Sequence, residues 1–217
     1  MRETIFRIVG LRHLRESMFV KNVAKLVTGS VASQFVALGF APILARLYTP
    51  EQFGILGLFL SFTSILSIPS TLGYHVAIVP TRTVEEAETH LRLCVFLTGF
   101  YSLLLFFCLK IFIKFINGTT VTGRYNVGDL GIWFFLVPIG VCFIGLSRAF
   151  TFYQTRQNRF GTIALATAAQ STGSAVSQTA LFFIPGLGVG GLIIGNLLGR
   201  LVGVAINAAN IFYHAIP

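Results

Sequence analysis

Residues 42–54, Pro42-Ile43-Leu44-Ala45-Arg46-Leu47-Tyr48-Thr49-Pro50-Glu51-Gln52-Phe53-Gly54, join two long apolar runs through a turn of about five residues. The turn has the chemistry of a helix start. Thr49 stands where an N-cap belongs, and Pro50 brings a φ already suited to the first helical position. Gln52, three residues after the cap, completes a capping box. One helix must therefore end, and the next begin, within this stretch. Two helices joined so tightly run antiparallel, and each run is long enough to cross the roughly 30 Å of a bilayer's hydrocarbon at about 1.5 Å per residue.

The pattern repeats along the chain. Apolar segments near 24–46, 53–74, 91–114, 130–149, 161–184 and 188–210 give six candidate spans. Backbone amides cannot go unsatisfied in lipid, so the spans should be helices rather than open strands. Composition agrees: 54% of residues are hydrophobic and only 11% are charged, against roughly 25% charged in an ordinary soluble domain. The expected fold is an all-α membrane protein, one bundle of six transmembrane helices.

A formal charge of +9 would point to nucleic acid in a soluble protein, but its distribution tells otherwise. Arg2, Arg7, Arg12, Arg15, Lys21 and Lys25 lie in or next to the N-terminal tail. Arg82 and Arg92 flank the second connection, Arg148, Arg156 and Arg159 the fourth, and Arg200 lies toward the last end. Only Arg46, Lys110, Lys114 and Arg124 fall on the opposite side. Such asymmetry places both termini in the cytoplasm. The expected organisation is a basic cytoplasmic tail over 1–22 and a six-helix lobe over 23–217. The tail's apolar residues are interrupted by Arg7 and Arg12, and no small-residue cleavage site follows, so it does not read as a secretory signal.

Metal and nucleophile chemistry find no motif. Cys94, Cys108 and Cys142 all fall within spans and read as buried, inert thiols. The histidines at 13, 75, 90 and 214 share no metal-ligand spacing. The chain has no phosphate-cradling glycine loop with its lysine and no serine elbow. No cofactor, metal or nucleic-acid partner is expected.

Polar residues within the spans carry what information remains. On the sixth segment Asn196, Arg200, Asn207 and Asn210 fall within about 80° of arc at 100° per residue. Arg200 lies about 18 Å along the helix from Gly188. Two readings stand for it: an arginine lining a cavity, or one reaching back to the headgroups. Gly191, Gly195, Gly199 and Gly203 form a ladder at steps of four about 100° away, a seam for close helix contact. On the fifth segment Thr167, Ser171, Ser174 and Gln178 share a face flanked by Gln170, as helix-to-helix glue or as a wall for a polar ligand. Ser30 and Gln34 make a shorter version on the first. Acidic residues are confined to tails, turns and helix ends. Any ion coupling within this chain would fall to His75, near the inner end of the second segment.

The turn Ala45-Arg46-Leu47-Tyr48-Thr49-Pro50-Glu51-Gln52-Phe53-Gly54 resembles the joint between the first two helices of Wzx-type polysaccharide (O-antigen) flippases of the MATE-like superfamily. Tyr74-His75-Val76-Ala77-Ile78-Val79-Pro80 resembles the inner end of the family's second helix, although the family often has an acidic residue where His75 stands. Arg159-Phe160, Gln170-Ser171, Gly190-Gly191-Leu192 and Gly195 resemble its fifth and sixth helices. The resemblance implies translocation of lipid-linked oligosaccharide repeat units across a bacterial or archaeal cytoplasmic membrane by alternating access, and no enzymatic role. It implies a polyprenyl-diphosphate-linked oligosaccharide as cargo. Arg46, Arg148 and Arg200 are candidates for the diphosphate, and Gln170, Ser174, Gln178, Asn196 and Asn207 for the sugars. Family chains are about twice as long and hold two six-helix lobes. A second lobe is therefore expected from a missing C-terminal half, a second copy or a partner. Two other readings remain open: a drug exporter of the same superfamily, or a membrane-embedded glycosyltransferase or polymerase. The latter would need a carboxylate or histidine pair, although the one acidic cluster, Glu85, Glu86 and Glu88, reads more easily as a solvated helix face.

Overall fold

The computed structural model describes the backbone of residues 2–118 and 133–215, and the side chains of 24–111 and 133–213. Its described elements are helical throughout: α1 (Arg2–Leu47), α2 (Pro50–Leu66), α3 (Tyr74–Ala77), α4 (Val84–Gly118), α5 (Val137–Arg156), α6 (Phe160–Phe182) and α7 (Val189–Ala215), with a 3₁₀ turn over Ile68–Thr71. No strand occurs among the described residues. The protein is an all-α membrane protein.

The capping box forms as its spacing demands. Gln52 N donates to Thr49 Oγ1 at 3.4 Å, and Thr49 N donates to Gln52 Oε1 at 3.0 Å. A second box opens α4, where Glu86 N donates to Thr83 Oγ1 and Glu86 Oε2 accepts from the Arg82 and Thr83 amides. The chain leaves α2 through Leu72 and Gly73, both left-handed (φ 47° and 78°). Glycine adopts that backbone at little cost, and leucine does not.

Among the described residues, four helical stretches are long and apolar enough to cross a membrane: Ala24–Leu47, Pro50–Thr71, Val84–Ile111 and Val189–Tyr213. Helices α5 and α6 have 20 and 23 residues, a comparable length. Arg148 and Arg156 in α5, and the serines, threonines and glutamines of α6, make them more polar. Large apolar side chains such as Phe35, Leu38, Phe96 and Ile111 stand exposed around the outside. That is costly in water and expected against lipid.

Several expectations shift. The fourth segment, expected over 130–149, becomes α5 at Val137–Arg156; residues 130–132 lie outside the described part. Arg148, one residue from the end of the expected span, is two turns from the end of the helix. Helix α4 starts seven residues ahead of the apolar run at Leu91, because Thr83 and Glu86 cap it at Val84. Cys108 is exposed and Cys142 half-buried; only Cys94 is fully buried.

Nor does α1 lie along α2. It packs against α6, while α6 and α7 make the most extensive pair. On the other side α4 lies on α5, and α2 on α5 and α7. Helix α7 thus sits where the two groups meet. Its Leu192, Ile193 and Leu197 join Leu44 and Tyr48 of the α1 end, Leu56 and Phe59 of α2, and Val137 and Val141 of α5 in the main core. A second cluster of Ile78, Ala87, Leu91, Cys94, Ala149 and Tyr153 closes the arginine-rich end.

Candidate functional site

The glycine ladder of α7 decides the site's geometry. A Cβ on Gly195 would lie 2.6 Å from Gln178 Cγ, and one on Gly199 would strike the Ser174 side chain and come within 2.5 Å of its amide nitrogen. From the other side, a Cβ on Gly173 would lie 3.3 Å from Gly199 Cα. Only hydrogen fits at these points, so α6 and α7 meet backbone to backbone, as the sequence pattern implies. The polar residues of α6 rest on these glycines, Gln178 on Gly195, Ser174 on Gly199 and Gln170 on Gly203, and the same three residues line the open edge of the seam.

One edge faces α1. There a cleft of about 570 Å³ is walled by Ala37, Phe40 and Ala41 of α1, Phe53 of α2, Gln170, Ser171, Ser174 and Gln178 of α6, and Asn196 of α7. Four of the candidate residues (Gln170, Ser174, Gln178 and Asn196) meet in this one space. Arg200 attaches to it through Asn196, whose Oδ1 accepts from Arg200 Nε at 3.0 Å. The lining offers neutral donors and acceptors on an otherwise apolar surface, with one cation bonded to its margin. Such a surface can hydrogen-bond hydroxyls and amides and hold an anionic group nearby.

Gln178 is partly committed. It is buried, its Nε2 donates to Leu192 O at 3.1 Å, and its own carbonyl accepts from the Tyr48 hydroxyl at 2.8 Å. Gluing accounts for those groups, while Gln170, Ser171 and Ser174 keep half-exposed faces. Ser30, Gln34 and Thr167 are exposed and are not part of the cleft's wall.

The remaining candidates lie elsewhere. Arg46 is exposed in the last turn of α1, where its charge suits the helix C-terminus. Arg148 Nη1 donates to Ser67 O at 3.1 Å, tying α5 to the end of α2. His75 Nδ1 shares a 2.7 Å hydrogen bond with Thr71 Oγ1, and its ring meets Phe152 edge-on at 4.8 Å. Burial, and then the nearby Arg148 charge, lower the His75 pKa from its ordinary value. The asparagine–arginine stripe of α7 is divided. Asn207 is buried, its carbonyl accepts from Gln154 Nε2 at 3.2 Å, and Asn210 Oδ1 accepts from Arg159 Nη1 at 3.2 Å.

Tyr48 and Gln154 were not singled out by sequence reasoning. A tyrosine just ahead of a capping box was a usable signal for the first. A lone glutamine between the bulky Phe152-Tyr153 pair and Arg156 was a fainter one for the second. Among the described residues no group of three or more His, Cys, Asp or Glu could hold a metal ion.

No curated protein and no solved structure matches the chain. A family model described as Polysaccharide biosynthesis protein does match, over residues 19–216, which takes in all of the cleft and nearly the whole bundle. The chain belongs to this family of polysaccharide biosynthesis proteins.

Proposed function

We propose that this protein carries lipid-linked oligosaccharide repeat units across the cytoplasmic membrane of a bacterium or archaeon, as one lobe of an alternating-access flippase. On this reading α5 and α6 span the membrane beside the four more apolar helices, and both termini are cytoplasmic. A second six-helix lobe, from a longer product, a second copy or a partner, completes the carrier.

The observation that carries the proposal is the α1–α6–α7 cleft: Gln170, Ser171, Ser174 and Asn196 on an apolar wall, with Arg200 bonded at its edge. Neutral amides and hydroxyls suit sugar hydroxyls, and a guanidinium suits the carrier's diphosphate. A drug exporter for hydrophobic cations would gain nothing from the arginine. The glycosyltransferase or polymerase alternative loses support because Glu86 caps α4 and Glu88 pairs with Arg92.

In a complete transporter, Arg200→Ala should abolish export of the lipid-linked saccharide at normal protein level, while Arg200→Lys retains part of it. Full export by the alanine variant would remove Arg200 from the mechanism.

A further inference from the structure

On the face of the bundle away from α1, a groove of about 670 Å³ runs between α4, α5 and α7. Val95, Phe96, Leu146, Phe150, Val204 and Ala208 form its walls, and charge appears only at one mouth, where Glu88 and Arg92 stand one turn apart on α4. Their side chains are 40% and 84% exposed and approach to 3.8 Å. This mouth belongs to the arginine-rich end, because Arg156 Nη2 bonds the Thr81 and Thr83 carbonyls just ahead of α4. A bilayer around the bundle would set this charged rim at headgroup level, because charges are costly deeper in the hydrocarbon, and the groove within one leaflet.

We propose that this groove seats one acyl chain of a zwitterionic, amine-headed phospholipid. Glu88 faces the lipid's ammonium, and Arg92 its phosphate. The walls argue for a lipid chain over a helix of another protein. Close helix packing in a membrane favours small residues, and here phenylalanine, leucine and valine surround a single small residue, Ala208. The rim argues for the headgroup. Arginine favours phosphate, but the neighbouring carboxylate repels a purely anionic head and attracts an ammonium. The groove is on neighbouring faces of α7 from the cleft, so its occupant does not depend on what the cleft carries.

The test is native mass spectrometry of the detergent-purified chain, incubated with equimolar dioleoyl phosphatidylethanolamine, dioleoyl phosphatidylglycerol and a polyprenyl phosphate. The expected result is one retained phosphatidylethanolamine per chain. Ala208→Trp, which fills the groove, should cut that occupancy about tenfold, as loss of contact for two buried methylenes would. Glu88→Gln should turn the preference toward phosphatidylglycerol. Equal retention of the two phospholipids by the native chain, preference for the polyprenyl phosphate, or undiminished retention by Ala208→Trp would overturn the proposal. If circular dichroism shows that Ala208→Trp does not fold, Phe150→Trp in a Trp133→Phe background decides. Fluorescence quenching by phosphatidylethanolamine with brominated chains should then saturate at one lipid per protein. Non-saturating quenching, equal for both headgroups, would refute the site.

Discussion

Where α1 turns into α2, the bundle is closed by neutral groups. The Tyr48 hydroxyl donates to Gln178 O, its ring meets Phe182 and Phe53 edge-on at 5.3 and 6.4 Å, and Gly191 leaves room for the hydroxyl. At the opposite end three arginines do the corresponding work. Arg148 bonds the Ser67 carbonyl just past α2, Arg156 bonds the approach to α4, and Arg159 bonds the Asn210 side chain of α7. Tyr48 and Arg148 meet the same demand, since carbonyls at a helix C-terminus need donors. The difference teaches that arginines which orient a chain in a membrane can also be structural parts of it. Carboxylates are scarce here: among the described residues the one ion pair is Glu88–Arg92. Backbone oxygens take the place of acidic partners.

The sharpest way to break the comparison is at the neutral end. Tyr48→Ala removes a hydrogen bond and two ring contacts, and should destabilise the bundle by about 3 kcal/mol or more. Thermal unfolding in detergent would show it, and a melting temperature close to native would mean that the neutral end is not closed by this residue. At the basic end, Arg148→Ala should cost less, about 1–2 kcal/mol. Ser67 O would still accept from the Ser70 amide and hydroxyl. If Arg148→Ala lost transport at unchanged stability, the residue would instead belong to the cargo path.

A smaller effect follows from His75. Its pKa in the folded protein is lowered, so the unfolded chain binds the proton more readily. Stability should be full above the ordinary histidine value and decline as pH falls through it, levelling off below the folded pKa. Unfolding curves of native and His75→Asn protein between pH 7.5 and 5 (roughly one unit above and more than one below the free imidazole) should diverge, with the native chain the more pH-sensitive. Parallel curves would show that the imidazole does not report on this end. Smallest of all, Arg46→Ala should change stability by less than about 0.5 kcal/mol, because its side chain is exposed and makes no hydrogen bond or ion pair with the described residues. A larger loss would add a charged tie to the neutral end and blunt the contrast.

Local chemistry was legible before the fold was known. The Thr49–Gln52 box and the glycine seam of α7 could be read from spacing, because each depends on neighbours within a turn or two. Partnership was not legible. Nothing in the α1–α2 turn says that α1 will lie on α6, since a tight joint fixes proximity at one end only. Helical spacing sets Asn196, Arg200, Asn207 and Asn210 at similar angles on α7. Which helix would meet each part of it depends on the tilt and length of α5 and α6. Asn196 therefore opens onto the cleft, while Asn207 is buried beside Gln154. Likewise the apolar run at 130–149 located a helix but not its bounds, because composition marks lipid contact and α5 continues into polar sequence at its C-terminal end.

The backbone-to-backbone seam between α6 and α7 has a mechanical consequence. The Gln178, Ser174 and Gln170 side chains are already seated hard on the α7 glycines, and any slide would drive the Ser174 amide into Gly199. Two sides of the cleft are thus one stiff plate. A change in the cleft's width falls to its third side, α1, which leans on that plate with small residues, Gly29 against Ala164 among them. If this lobe changes shape during a transport cycle, α1 is the moving jaw and α6–α7 the fixed one.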